Sequence, residues 1–292
     1  MAERVERPAV ARVTGDAAPA VSHAPQASVV VTTPLPRRRW IQRHEQLVIG
    51  VATVVAFVVA WQLVANARIW SKLFVPGPSD IVVAFGELVA EGELAQDLAV
   101  SGQEFVIGYS LAAVIGIVLG LLLGWYRRAR YALDPFITFF YATPRIVLLP
   151  LIIVWVGIGI ESKIWIVFLG AFFAVLINTM AGVRSLDENL LRVARSFGAT
   201  QLDVFRTIAL PGSVPFILTG LRLATGHALI GIVVGEIVGA PHGIGRMMWI
   251  AGQTFQSARM FVGLFFLALT GVVLTYALQK LERHFDAWRP QR

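Results

Sequence analysis

The run Val106–Trp125, VIGYSLAAVIGIVLGLLLGW, holds twenty residues without one charge, and Arg127, Arg128 and Arg130 follow it at once. A helix needs about 20 mostly apolar residues to cross a hydrocarbon core of ~30 Å, so this stretch reads as a membrane span. It must be helical. Lipid offers no partner to backbone N–H and C=O groups, and the run is too long for a barrel strand. Small residues at Gly108, Ala112, Gly116, Gly120 and Gly124 recur every fourth position and line one face, so another helix can approach closely. That face serves either packing within the chain or an interface between subunits, and the spacing leaves both open.

Five more windows qualify on the same grounds: Leu47–Ala65, Phe136–Ile158, Ile164–Val183, Val214–Val238 and Met260–Leu281. The expected fold class is therefore an all-α polytopic membrane protein with about six transmembrane helices. Composition agrees. The chain is 57% hydrophobic and 15% charged, with a mean hydropathy of +0.70, against roughly 25% charged residues in a soluble protein. A large soluble helical core would show a polar stripe on each helix, and these runs largely do not. A net charge of +7 and a pI near 10.3 raise nucleic acid as a partner. The basic residues, however, sit in short clusters between apolar runs and not on one amphipathic face, which argues against it. With no cysteine, disulfide frameworks, thiolate zinc sites and cysteine nucleophiles are excluded.

Residues 1–36 have no continuous apolar core like that of a signal peptide, and read as a disordered tail and not a cleaved leader. The expected organisation is a cytoplasmic tail over 1–45 and the first transmembrane helix with a periplasmic segment over 46–101. The positive-inside rule orients the spans. Alternation through six spans gathers on one side Arg37–Arg39 with Arg43, Arg127–Arg130, the stretch with Arg184, Arg192, Arg195 and Arg206, and the end with Lys280, Arg283, Arg289 and Arg292. The other side receives the Arg68–Glu104 loop, with Asp80, Glu87, Glu91, Glu93 and Asp97, and the isolated charges Lys163, Arg246 and Arg259. Both termini are expected in the cytoplasm of a bacterium, with the chain in its inner membrane. Pro144 and Pro150 interrupt the third span, and each tends to kink a helix. A broken helix at membrane depth either lines a solute path or serves packing alone.

The connection between spans four and five is different. Leu186–Pro211 is long and amphipathic. Asp187, Glu188 and Asn189 supply an acidic helix start, and Leu190, Leu191, Ala194 and Phe197 recur at helical spacing. Gly198 breaks that helix. Thr200 and Asp203 make a capping pair for a second short helix, with Leu202, Val204, Phe205 and Ile208 apolar and Pro211 as its stop. Pattern alone allows either a bent handle for a partner or a helix lying on lipid.

Arg192-Val193-Ala194, then Gly198, Ile208 and Leu210-Pro211 at their spacings, resemble the EAA signature of binding-protein-dependent ABC importer permeases. Arg192 stands where that signature has Glu and Val193 where it has Ala, while the Gly and Leu-Pro anchors are intact. The resemblance runs from about Gly102 to Arg283 and implies a permease core over 102–283, with the first span in front, as in type I permeases. Trp155–Lys163 (WVGIGIESK) is similar to a stretch of the nitrate, sulfonate, taurine and bicarbonate branch. So are Gly220-Leu221-Arg222, Val233–Glu236 and Gly243-Ile244-Gly245.

The resemblance implies a permease subunit that is not an enzyme and carries a small, anionic solute delivered by a periplasmic or lipid-anchored binding protein. No stretch reads as a phosphate-cradling G-x-x-x-x-G-K-[ST] loop. No cofactor or metal is therefore expected in this chain, and ATP is expected on separate ATPase subunits. The implied assembly is a permease homodimer, each copy docking one ATPase through Arg192, Val193, Ala194, Gly198, Leu202, Phe205, Ile208, Leu210 and Pro211. Leu202 and Phe205 are the expected contacts.

Polar groups inside spans mark candidate pathway positions: Arg145, Asn178, Thr179 and Glu236. A buried Arg suits an oxyanion, but Arg145 pairing with Glu236 or snorkelling to the interface is the simpler expectation. His227 reads as a hydrogen-bonded packing residue, with no second His or carboxylate at ligand spacing. Two other classes compete. A secondary transporter driven by an ion gradient also needs buried polar groups but has no use for the Gly-plus-Leu-Pro loop. An intramembrane enzyme wants paired acids or a nucleophile with its base, and Glu236 has no evident partner in the sequence.

Overall fold

A computed structural model describes residues 45–69 and 71–285. The tail over 1–36, the Arg37–Arg43 cluster, Arg289 and Arg292 lie outside the described residues. The chain divides between Ala52 and Thr53 into two units; of the first, residues 45–52 are described and are helical. The elements are α1 (Glu45–Asn66), α2 (Pro78–Glu91), α3 (Glu93–Trp125), α4 (Arg127–Ala142), a 3₁₀ turn (Arg145–Leu148), α5 (Leu149–Val156) and α6 (Ile160–Arg184). After them come α7 (Glu188–Ser196), α8 (Gln201–Val204), a π turn (Phe205–Ala209), α9 (Leu210–Ile237), α10 (Ile244–Gln253) and α11 (Ser257–Phe285).

Among the described residues, five helical stretches are long and apolar enough to cross a membrane: α1, α3, α6, α8 through α9, and α11. The sixth is broken. The bend in Phe136–Ile158 is sharper than a kink: α4 and the 145–156 segment meet at 93°, as in a broken span or a re-entrant loop. Pro144 causes the break. The residue before a proline is pushed to extended backbone, and Thr143 sits at φ −72°, ψ 127°. Pro150 interrupts nothing, since it falls in the first turn of α5, where its missing N–H costs no bond.

α6 is the centre, with α3 on one side and α9 on the other. Phe105 and Ala112 of α3, Val167, Ala171 and Val175 of α6, and Ala224, Ala228 and Ile232 of α9 form one buried cluster. The small-residue face of α3 is used within the chain. A Cβ at Gly120 would lie 2.6 Å from Thr179 Cβ, and one at Gly124 2.6 Å from Val183 Cβ, so these backbones approach as closely as glycine permits.

Two segments differ from the sequence reading. The Arg68–Glu104 loop is largely helix. Pro78 opens α2, the Asp80 carboxylate accepts from Gly77 N at 2.9 Å, and Gly92 closes α2 at φ +79° with α3 starting directly after it. α2 then buries Ala84 and Leu88 beside Ile244 and Val262. The helix after Thr200 does not stop at Pro211 but continues into α9, with Pro211 in the first turn of α9. The wide π turn just before it accommodates a residue with no N–H and a bulky ring.

Candidate functional site

The 186–211 segment folds as two helices around one glycine. Asp187 caps α7 by accepting from Asn189 N at 2.8 Å. Phe197 follows α7, and Gly198 turns the chain at φ +81° while its N–H donates to Arg195 O at 2.9 Å. Ala199 N reaches back to Ala194 O at 3.1 Å. Thr200 and Asp203 cap α8 reciprocally: Thr200 N donates to Asp203 Oδ2 at 2.9 Å and Asp203 N to Thr200 Oγ1 at 3.3 Å.

The two faces of this bend differ. Val204 and Ala209 are buried, and Phe205 stands edge-on to Trp125 at the end of α3, with 5.3 Å between centroids. Phe205 thus ties the bend to the bundle. Outward stand Leu190, Val193, Leu202 and, at 89% exposure, Phe197. Leu202 is on the outer surface. Phe197 was legible as part of the α7 apolar rhythm, but its prominence depends on the turn at Gly198. Arg192 is exposed and lies 3.6 Å from Glu188, one turn back on α7; Ala194, Ile208 and Pro211 are half-buried and Leu210 exposed.

The candidate pathway residues do not converge. Arg145 lies just after the break, its guanidinium 5.6 Å from the centre of the Tyr141 ring and its Nε buried without a hydrogen-bond partner. Asn178 donates to Ala174 O at 2.8 Å and touches the α9 seam at Gly220, while Thr179 is fully buried against Gly120. His227 is exposed, with Nδ1 2.9 Å from Leu223 O.

Glu236, at the end of α9, is held by other groups than Arg145. Its Oε1 accepts from Ser101 Oγ at 2.5 Å and its Oε2 from Gly245 N at 2.5 Å. Ser101 also accepts from Ile244 N at 2.9 Å, and Asp97 accepts from Gly243 N at 2.8 Å. Gly243 adopts φ +139° and lies so close to Glu236 that a Cβ there would come 2.6 Å from Oε1. The three backbone N–H groups of the GIG run thus go in turn to Asp97, Ser101 and Glu236. Glu104 and Lys163 complete this buried group. None of Asp97, Ser101, Glu104 or Lys163 was singled out as a site residue from sequence.

Residues 112–287 match the family described as "Binding-protein-dependent transport system inner membrane component". A Bacillus subtilis (strain 168) protein named for aliphatic sulfonates transport, the permease protein SsuC, is 34% identical over 240 residues, covering 82% of this chain and 87% of its own. The taurine transport system permease protein TauC of Escherichia coli (strain K12) is 30% identical over 269 residues, covering 89% of this chain and 98% of its own. An inward-facing structure of the MetNI methionine ABC transporter superposes with a TM-score of 0.59 at 20% identity, covering 68% of this chain and 98% of that one. That likeness is one of fold.

Proposed function

Because this chain belongs to the binding-protein-dependent transport system inner membrane components, we propose that its 186–211 bend is the handle by which a separate ATPase drives alternating access. As a member of that family the chain is a multi-pass permease subunit of an ABC importer, working with ATPase and substrate-binding partners. This decides for the importer over an ion-gradient carrier. The observation that carries the handle is its construction. Leu190, Val193, Phe197 and Leu202 form an exposed apolar surface, of which Leu202 stands on the helical stretch continuous with α9, and Phe205 clamps that stretch on Trp125. A loose lipid-lying helix would need no such fusion.

In this reading ATP binds the partner ATPases, and their closure pulls two such handles together and rocks the spans. The assembly is a homodimer in the bacterial inner membrane with both termini cytoplasmic, the handle on the same side, and a permease core over 102–283. The cargo is a small sulfonate-like anion. Arg145 supports that cargo: a guanidinium Nε without a partner at a helix break is a ready donor to an oxyanion. The names of SsuC and TauC point the same way.

Co-purification tests the handle. Phe197→Ser with Leu202→Ser should leave the amount of inserted permease unchanged and lose the co-expressed ATPase. Full retention of the ATPase would remove the proposal. A titration of the partner binding protein with taurine, alkanesulfonates and nitrate tests the cargo.

A further inference from the structure

The seam between α3 and α6 ends in a pair of charges. Gly108 faces Val167, Gly116 faces Val175, Gly120 faces Thr179 and Gly124 faces Val183, a constant offset along two helices that run in the same direction. One turn further out, the same offset sets Glu104 against Lys163. Both are buried, at 2% and 1% exposure, and their charges act on each other. Neither is satisfied by the other: Glu104 meets Glu236 through one side of its carboxyl, and Lys163 turns to the backbone. Lys163 Nζ donates to the Ile158 carbonyl, and Glu104 Oε2 is buried with no hydrogen-bond partner. Glu236 accepts from Ser101 and Gly245 and shares the field of Lys163 with Glu104.

We infer that Lys163 is a positioning residue of the transport cycle that exchanges partners, holding the Ile158 carbonyl in the conformation described and the Glu104 carboxylate in the alternate one. Ile158 lies in the turn between α5 and α6, where Gly157 adopts φ +88°. Its carbonyl therefore belongs to the broken limb of the third span, whereas Lys163 belongs to the central helix. Any movement of that limb against α6 takes the carbonyl from a buried ammonium, which is costly unless another acceptor stands ready. Among the described residues, the acceptor in register with it is the unpartnered oxygen of Glu104. Gly235 leaves room for the swing, since a Cβ there would come 3.3 Å from Lys163 Cγ.

The test uses the permease reconstituted in vesicles with its ATPase and binding protein, comparing Glu104→Gln, Lys163→Met and the double variant. Each single change should slow uptake at least about tenfold while leaving the KM for loaded binding protein within about twofold of the parent. The double variant should be no slower than the worse single, because one partnership is lost once. Glu104→Asp, which keeps the charge, should recover most of the rate that Glu104→Gln loses. Multiplying defects in the double variant, or parental uptake by Glu104→Gln, would overturn the exchange. Where Lys163→Met lowers the inserted amount, the Gln and Asp variants decide, and equal rates for the two also overturn it. The inference rests on the transport reading above. Uptake by the unsubstituted complex in the same vesicles separates failure of that reading from failure of this one.

Discussion

Substitutions at Gly198 separate backbone strain from steric conflict. The residue turns the handle at φ +81°, and a Cβ built on it meets no heavy atom within 4 Å. A side chain there therefore costs only what a left-handed backbone costs, about 1–2 kcal/mol for an ordinary L residue. That is a factor of about 5–30 in the ratio of bent to unbent handle. Alanine should lower ATP-driven uptake by a factor in that range at equal incorporation into vesicles. Valine, stiff at χ1, should lower it further. Asparagine, which enters the left-handed region readily, should stay near the parent. Aspartate shares that backbone tolerance but puts a charge on the surface proposed to dock the ATPase, and should abolish uptake with insertion intact. Uptake by the valine variant at the parental rate would refute the reasoning. So would an asparagine variant as poor as valine, since that pattern would mean volume matters where the structure has open space.

Other outcomes follow from single contacts. Gly120→Ala puts a methyl 2.6 Å from Thr179 Cβ and should cost about 1–3 kcal/mol. Gly102→Ala on the same helix meets nothing within 4 Å and should be neutral or stabilising by about 0.5–1 kcal/mol. Thermal unfolding in detergent reads both. Lys72 beside Asp80, and then Gly77 N–H, hold the Asp80 carboxyl below its ordinary value of 3.8. A depressed folded value means the contribution is whole above that ordinary value and lost as pH falls through the lower one. Protease cutting near the start of α2 should accordingly rise only in acid, and Asp80→Asn should abolish that dependence. Because the chain has no cysteine, Gln256→Cys should react with an impermeant maleimide added outside the cell and Ser196→Cys should not; the reverse would invert the topology.

The spans were legible because lipid imposes a length and an apolarity that no other constraint in the chain mimics. The bend at Gly198 was legible because a left-handed residue between two capping patterns has few alternatives. The 93° break was not, since a proline among apolar residues signals a kink without giving its angle. Nor was α2, whose charges on a short segment resemble those of a loop. The partners of Glu236 were hidden for a different reason: Ser101 is 135 positions away in the chain, and only packing of α3 on α9 joins them. A signal for Glu104 did exist. The four-residue rhythm from Gly124 back to Gly108 continues to Glu104, where a charge replaces a small residue.

The handle and the charge cluster lie at opposite ends of one continuous helical stretch, Gln201–Ile237, of 37 residues, about 55 Å at 1.5 Å per residue. A helix that long, buried against α6 along much of its length, transmits a displacement and does not absorb it. The irregular section within it is the π turn at Phe205–Ala209, where Phe205 is braced on Trp125. Arg206 and Thr207 are exposed there, so Arg206→Gly with Thr207→Gly removes no buried contact but weakens the helix by about 1 kcal/mol per site. The outer surface of the handle is untouched, so the ATPase should still bind and hydrolyse ATP. Uptake per ATP hydrolysed should fall, because motion of the handle is then taken up at the softened turn and does not reach α9. Should uptake per ATP stay at the parental value, α9 is not the lever, and the force must enter the bundle through α7 and the end of α6.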